Sequence, residues 1–205
     1  MGYRTIREPA QDEFTEQRSR FIGAIAPVNT EEEALAFLAK IRGAHRDARH
    51  HVFAFVLKSG VRRCSDDGEP QGTGGVPTLE VLLREGLADV AVVVTRYFGG
   101  ILLGAGGLVR AYSHAAKLAV DAAQPMTMSD CAIVRVDMAY SWYGAVQRLM
   151  PAYNARVRES DFGERVRLEL LLRAERVQPF LAALVELSAN AIVTEQVCEL
   201  MAELE

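Results

Sequence analysis

The stretch "DVAVVVTRYFGGILLGAGGLVRAY", residues 89–112, holds the signals that decide the fold. The apolar run Val90–Val94 reads as a strand buried on both faces. Five glycines follow within nine positions (Gly99, Gly100, Gly104, Gly106 and Gly107), and then Leu108, Ala111, Ala115 and Leu118 recur at helical spacing. An interior strand leading through a glycine loop into an amphipathic helix is an α/β unit, and the flanking sequence supplies more of the same.

Upstream, "RFIGAIAPV" (20–28) reads as a strand, and Thr30 with Glu33 has capping-box spacing ahead of a helix whose Ala34, Phe37, Leu38 and Ile41 share a face. "HHVFAFVLK" (50–58) is apolar in both alternating sets, as in a strand covered on both sides. "CSDDGEPQGTGG" (64–75) is turn chemistry from end to end, and "VPTLEVLLREG" (76–86) is a short helix with Pro77 in its first turn and Gly86 at its end. Periodicity lapses over residues 122–130, the expected linker between domains at 1–125 and 126–205.

Beyond it, Ala132, Val134, Val136 and Met138 alternate against Arg135 and Asp137, and Ser141 is expected to cap a helix that stops before Pro151. "ERVRLELLLR" (164–173) alternates again, Val177, Phe180, Leu181 and Leu184 mark a second helix, and a last strand lies near "AIVTEQV" (191–197). The order expected of this part, strand, helix, strand, strand, helix, strand, is ferredoxin-like. The expected fold class is therefore α+β, with two two-layer α/β domains.

Half of the 205 residues are hydrophobic and a quarter charged, the composition of a soluble globular protein. No stretch approaches the roughly 20 apolar residues of a membrane helix, and the charged N-terminus lacks the apolar core of a secretory signal, so the expected location is the cytoplasm. Cys64, Cys131 and Cys198 stand far apart and outside any metal-ligand spacing, so reduced structural thiols are expected, with no metal and no cofactor. The net charge of −4 excludes a chain coated in positive potential. Residues 1–125 carry 15 basic against 15 acidic side chains and residues 126–205 carry 8 against 12, so a basic patch has to come from specific residues of the first domain.

The glycine loop fails the nucleotide templates. Gly99 and Gly104 have P-loop spacing without the Lys-Ser/Thr that follows it, and a dinucleotide fingerprint begun at Gly104 and Gly106 would place its third glycine at Val109. What remains is a helix start with Arg110, His114 and Lys117 on one face, preceded by Arg96 and flanked by Tyr97 and Tyr112. Such a set could hold phosphate oxygens or stack on bases, or the glycines could serve tight turns beneath a solvated cationic face. Asp66, Asp67 and Glu69 could hold a hard cation or form a solvated turn. His45, His50 and His51 could act as acid and base, although no nucleophile pairs with them in sequence.

Taken together, "RSRFIG", "IRGAHRDARH", "SDDGEPQGTGG" and "VVVTRYFGGILLGAGGLVRAY" resemble the YigZ/IMPACT family over residues 18–120, in order and at normal spacing. The resemblance implies an N-terminal α+β domain similar to domain IV of elongation factor G and a C-terminal ferredoxin-like domain similar to its domain V. It also implies contact with RNA, the ribosome, translation factors or another protein partner, and no secure enzymatic activity. In eukaryotes the IMPACT relative binds a co-activator of a stress kinase, a pathway not carried over to a two-domain chain. The motif positions present here are His45, His50, Asp66, Asp67, Gly68, Glu69, Arg96, Tyr97, Gly99, Gly100, Gly104, Gly107, Arg110 and Tyr112. Leu102 and Gly74 depart from the pattern, because members often carry a lysine and an alanine there.

The expectation is a non-enzymatic, translation-associated protein that binds RNA or a ribosome-linked partner through an Arg96, Tyr97 and Arg110 surface, with the acidic loop at its margin. Two alternatives stay open. One is a pure protein-interaction module, and the other a hydrolase or phosphoryl-transfer enzyme built from His45, His50, Asp66, Asp67 and Glu69.

Overall fold

The computed structural model describes residues 2–204. In chain order they form β1 (Tyr3–Thr5), β2 (Ala10–Glu16), β3 (Ser19–Pro27), α1 (Glu31–Ala44), β4 (His50–Val56), β5 (Arg62–Ser65), α2 (Gly75–Arg84), β6 (Val90–Tyr97) and α3 (Gly104–Ala122). Then follow β7 (Met126–Met138), α4 (Tyr140–Leu149), a 3-10 turn at Met150–Tyr153, β8 (Arg156–Phe162), β9 (Val166–Arg173), α5 (Ala174–Ser188) and β10 (Val193–Glu203). The chain divides into a unit spanning Tyr3–Thr127 and a second from Met128 onward. None of the described helices is long and apolar enough to cross a membrane.

In the first unit, β6 is the middle strand of an antiparallel sheet ordered β2-β3-β6-β4-β5. The double apolar pattern of β4 and β6 has a direct consequence. Val52, Ala54, Val92 and Val94 pack under α2 and α3, while Phe53, Phe55, Ala91 and Val93 pack on α1 through Ala34, Leu38 and Ile41. At about 1.5–3 kcal/mol for each fully buried large apolar side chain, both faces contribute heavily to this unit's stability. It therefore has a third layer beyond the two-layer expectation, because a strand apolar on both faces needs cover on both.

Four strands of the second unit follow the antiparallel order β10-β7-β9-β8, the ferredoxin-like arrangement. Val134, Val136, Met138, Leu168, Leu170 and Leu172 meet Val146, Val177, Phe180 and Leu184 of α4 and α5 in a separate core.

Local expectations shift in four places. The expected linker shrinks to residues 123–125, since β7 begins at Met126. Cys64 and Ser65 end β5, where they pair with Ala54 and Phe53, so the turn begins at Asp66. Ser141 lies inside α4, whose N-cap is Ala139. Thr30 caps α1 by accepting from Glu33 N–H at 3.2 Å, but the Glu33 carboxylate returns to Asn29 N–H at 2.6 Å rather than to the cap residue's own N–H.

Candidate functional site

Successive side chains of a strand point to opposite faces, and this alternation separates two residues that the sequence places side by side. Arg96 follows Val94 beneath α3, whereas Tyr97 follows Val93 and Thr95 to the α1 side, where its hydroxyl lies 2.9 Å from His45 Nδ1. The expected single surface of Arg96, Tyr97, Arg110 and Tyr112 is not formed.

Arg96 is instead the centre of a buried network. Its Nη1 donates to Glu69 Oε1 at 2.7 Å, and the same oxygen accepts from the Tyr112 hydroxyl at 2.7 Å. The Arg96 and Glu69 side chains are 6% and 4% exposed, and Tyr112 is fully buried. The guanidinium carbon lies 5.4 Å from the ring centres of both Phe21 and Phe98. Burial, then the bond and charge of Glu69, push the Tyr112 hydroxyl far above its ordinary range, so it stays protonated as a donor. Ser19 Oγ lies 3.5 Å from Arg96 Nη2 and accepts from Gly99 N–H at 3.2 Å, which ties the start of the glycine loop to the pair. A side chain at Gly99 would meet the Arg18 carbonyl at 2.0 Å, so only glycine fits.

The acidic turn is likewise turned inward. Asp66 Oδ1 accepts from Gly74 and Gly75 N–H at 2.9 and 2.7 Å, and Oδ2 from Gly72 N–H at 2.8 Å. The amide cradle at the start of α2 is thus filled by the protein's own carboxylate, as an anion would fill it. Burial opposes this charge, yet the three N–H bonds outweigh it and hold Asp66 below its ordinary value. Asp67 takes Arg42 and the His51 N–H, and its carbonyl lies 2.9 Å from His50 Nδ1, which must carry the proton since a carbonyl only accepts. His51 is buried with Nδ1 3.1 Å from Thr95 Oγ1, and burial lowers its pKa.

His50 and the carboxylates therefore do converge at one end of the sheet, but Asp66, Asp67 and Glu69 are each engaged inside the chain. Among the described residues, no group of three or more His, Cys, Asp or Glu side chains is placed to hold a metal. Of the cations on α3, Lys117 reaches Glu85 at 3.0 Å and also pairs with Asp121, and His114 stands edge-on to Phe14.

What faces outward is a different set. The loop between β6 and α3 exposes Phe98, Ile101 and Leu102, the last at 85%. An open cleft of about 370 Å³ beside it is lined by Arg49, His50, Arg96, Phe98, Leu102 and Ala105 among others. On the other side of Leu103 a second cleft of about 280 Å³ includes Phe14, Arg110 and His114. Gly100, at φ +85°, and Gly104, at φ +69°, make the left-handed turns that lead this loop into α3. Arg49 and Phe98 were not expected at the site. The signal for Arg49 was present, since it directly precedes His50, which stands opposite Arg96 in the β4–β6 ladder.

Two family models match this chain: the Impact N-terminal domain over residues 17–120 and a domain of unknown function (DUF1949) over residues 136–191. The chain belongs to the IMPACT family. The IMPACT family member YvyE of Bacillus subtilis (strain 168) is 35% identical to it over 189 residues, covering 91% of this chain and 87% of YvyE. YigZ of Escherichia coli (strain K12) is 34% identical over 180 residues, covering 86% and 88%. The human Protein IMPACT is 32% identical over 98 residues, 44% of this chain and 30% of that protein. A crystal structure described as a hypothetical protein superposes with a TM-score of 0.62 at 31% identity, covering 96% of this IMPACT family member and 98% of that chain.

Proposed function

We propose that this IMPACT family member is a non-enzymatic, cytoplasmic, translation-associated regulator whose N-terminal unit binds RNA or a ribosome-linked partner around the glycine loop. One observation carries the reading: the carboxylates that a reaction would need are engaged inside the chain, while Phe98, Leu102, Arg49 and Arg110 are left at the surface. Family membership supplies the translation setting. The contact residues move accordingly. Arg96, Glu69, Tyr112, Asp66 and Asp67 build the loop and the turn, and Arg49, Arg110 and the exposed loop make contact.

Sedimentation of the full chain with ribosomes through sucrose gradients, with and without nuclease, tests this. Co-sedimentation that is lost in the Arg49→Ala, Arg110→Ala double variant is expected, and a chain that stays at the top of the gradient overturns the reading. If phosphates are bound, the double variant also has a shallower salt slope. Binding through protein alone is the second reading, favoured by Leu102, whose exposed apolar side chain stands where a cation would serve RNA better.

A further inference from the structure

We infer that the cleft beside the start of α3 receives a protein segment carrying a carboxylate next to an apolar side chain; this rests on the reading of the N-terminal unit as a binding module. Three features converge there. The 19-residue α3 has no side-chain cap and no acidic residue in its first turn, so the amides around Gly104 and Ala105 and the positive end of the helix dipole are free for an anion. Arg49, exposed at the cleft, has no carboxylate partner among the described residues. Arg96, whose side chain is more than nine-tenths buried and also lines the cleft, keeps a buried Nε–H without any partner although its Nη1 is held by Glu69.

His50 and Glu69 complete the polar lining, the Glu69 carboxylate being taken by Arg96 and Tyr112, and Pro70, Phe98, Leu102 and Leu108 form the apolar part around these donors. An acidic residue beside a leucine, isoleucine or phenylalanine matches both halves of the cleft. RNA matches one, because Leu102 would be buried against a phosphate backbone and Phe98 already stacks on the Arg96 guanidinium.

A random 12-residue peptide library displayed on phage and panned on the full chain tests this. Enriched sequences are expected to carry Asp or Glu within two positions of a large apolar residue. The labelled winning peptide should lose at least tenfold in affinity on Arg49→Ala, on Leu102→Ser, and on replacement of its own acidic residue by the amide. A 12-nucleotide single-stranded RNA should not displace it. Both protein variants change exposed side chains, and unchanged circular dichroism checks that they fold. Enrichment without acidic residues, indifference to both variants, or displacement by the RNA overturns the inference. A chain that sediments with ribosomes yet enriches no such peptide refutes this inference alone; one that enriches it but stays off ribosomes refutes the translation setting alone.

Discussion

In the N-terminal unit, Arg96 and Glu69 meet under α3 with side chains 6% and 4% exposed, whereas on the C-terminal sheet Arg135 bridges Glu169 and Glu195 with its own side chain 42% exposed. Asp137, also on that sheet, takes Arg165 and Arg167 side by side. The two networks use the same residue types at similar distances. Their surroundings reverse their weight, because water screens the exposed ladder while the buried pair has no alternative partner if one member is lost. The N-terminal network is therefore part of the scaffold, and the C-terminal one is a solvated face.

The contrast is most exposed to test at Glu69. Glu69→Ala leaves Arg96 buried without its counter-charge and should destabilise the N-terminal unit by about 3–5 kcal/mol. Trp142, the only tryptophan, packs against the C-terminal core. Urea unfolding followed by its fluorescence should keep its midpoint, while the circular dichroism transition of the N-terminal unit moves to lower urea. Coincident shifts in both probes would break the comparison.

Asp66→Ala should come next, at about 2–3 kcal/mol, since three backbone N–H groups lose their acceptor. Tyr112→Phe should cost about 1 kcal/mol, because Glu69 keeps its bond to Arg96. Arg135→Ala is the smallest, with no midpoint shift beyond error by either probe. A loss for Arg135→Ala as large as that for Glu69→Ala would contradict the assignment of weight.

Acid should also act in two steps on the N-terminal unit. Burial keeps His51 below its ordinary pKa, so on acidification the unfolded chain takes up that proton first, and stability falls as pH drops below about 6.5. Asp66 is held below its ordinary value, so its contribution is complete above about pH 4 and is lost as pH falls through the lower folded value. Urea midpoints from pH 8 to pH 3 should show both declines, and His51→Gln should remove only the first.

Periodicity made the strands and helices of both units legible, because β4, β6, β7 and β9 alternate or are apolar throughout. β8 is required by the ferredoxin-like order but has no legible stretch, since all seven of its residues are exposed, and the short β1 and mostly exposed β2 carry no apolar pattern either. At the site, the partners of the expected residues were not legible. Arg96 finds its carboxylate 27 positions away, and Asp66 caps a helix that starts nine positions later, pairings that only the folded chain creates. The separation of Arg96 from Tyr97 was legible, since a period of two already sends neighbours to opposite faces. Leu102, a departure from the family pattern, proves the most exposed of the large apolar side chains among the described residues.

Photo-crosslinking in cells, with benzoylphenylalanine replacing Leu102 on the glycine loop or Val157 on the C-terminal sheet edge, tests most directly where the chain makes contact. Mass spectrometry and sequencing of the products should find ribosomal or translation-factor crosslinks from position 102 and few from position 157. Crosslinks from position 157 with none from position 102 would contradict the placement of the binding surface on the glycine loop.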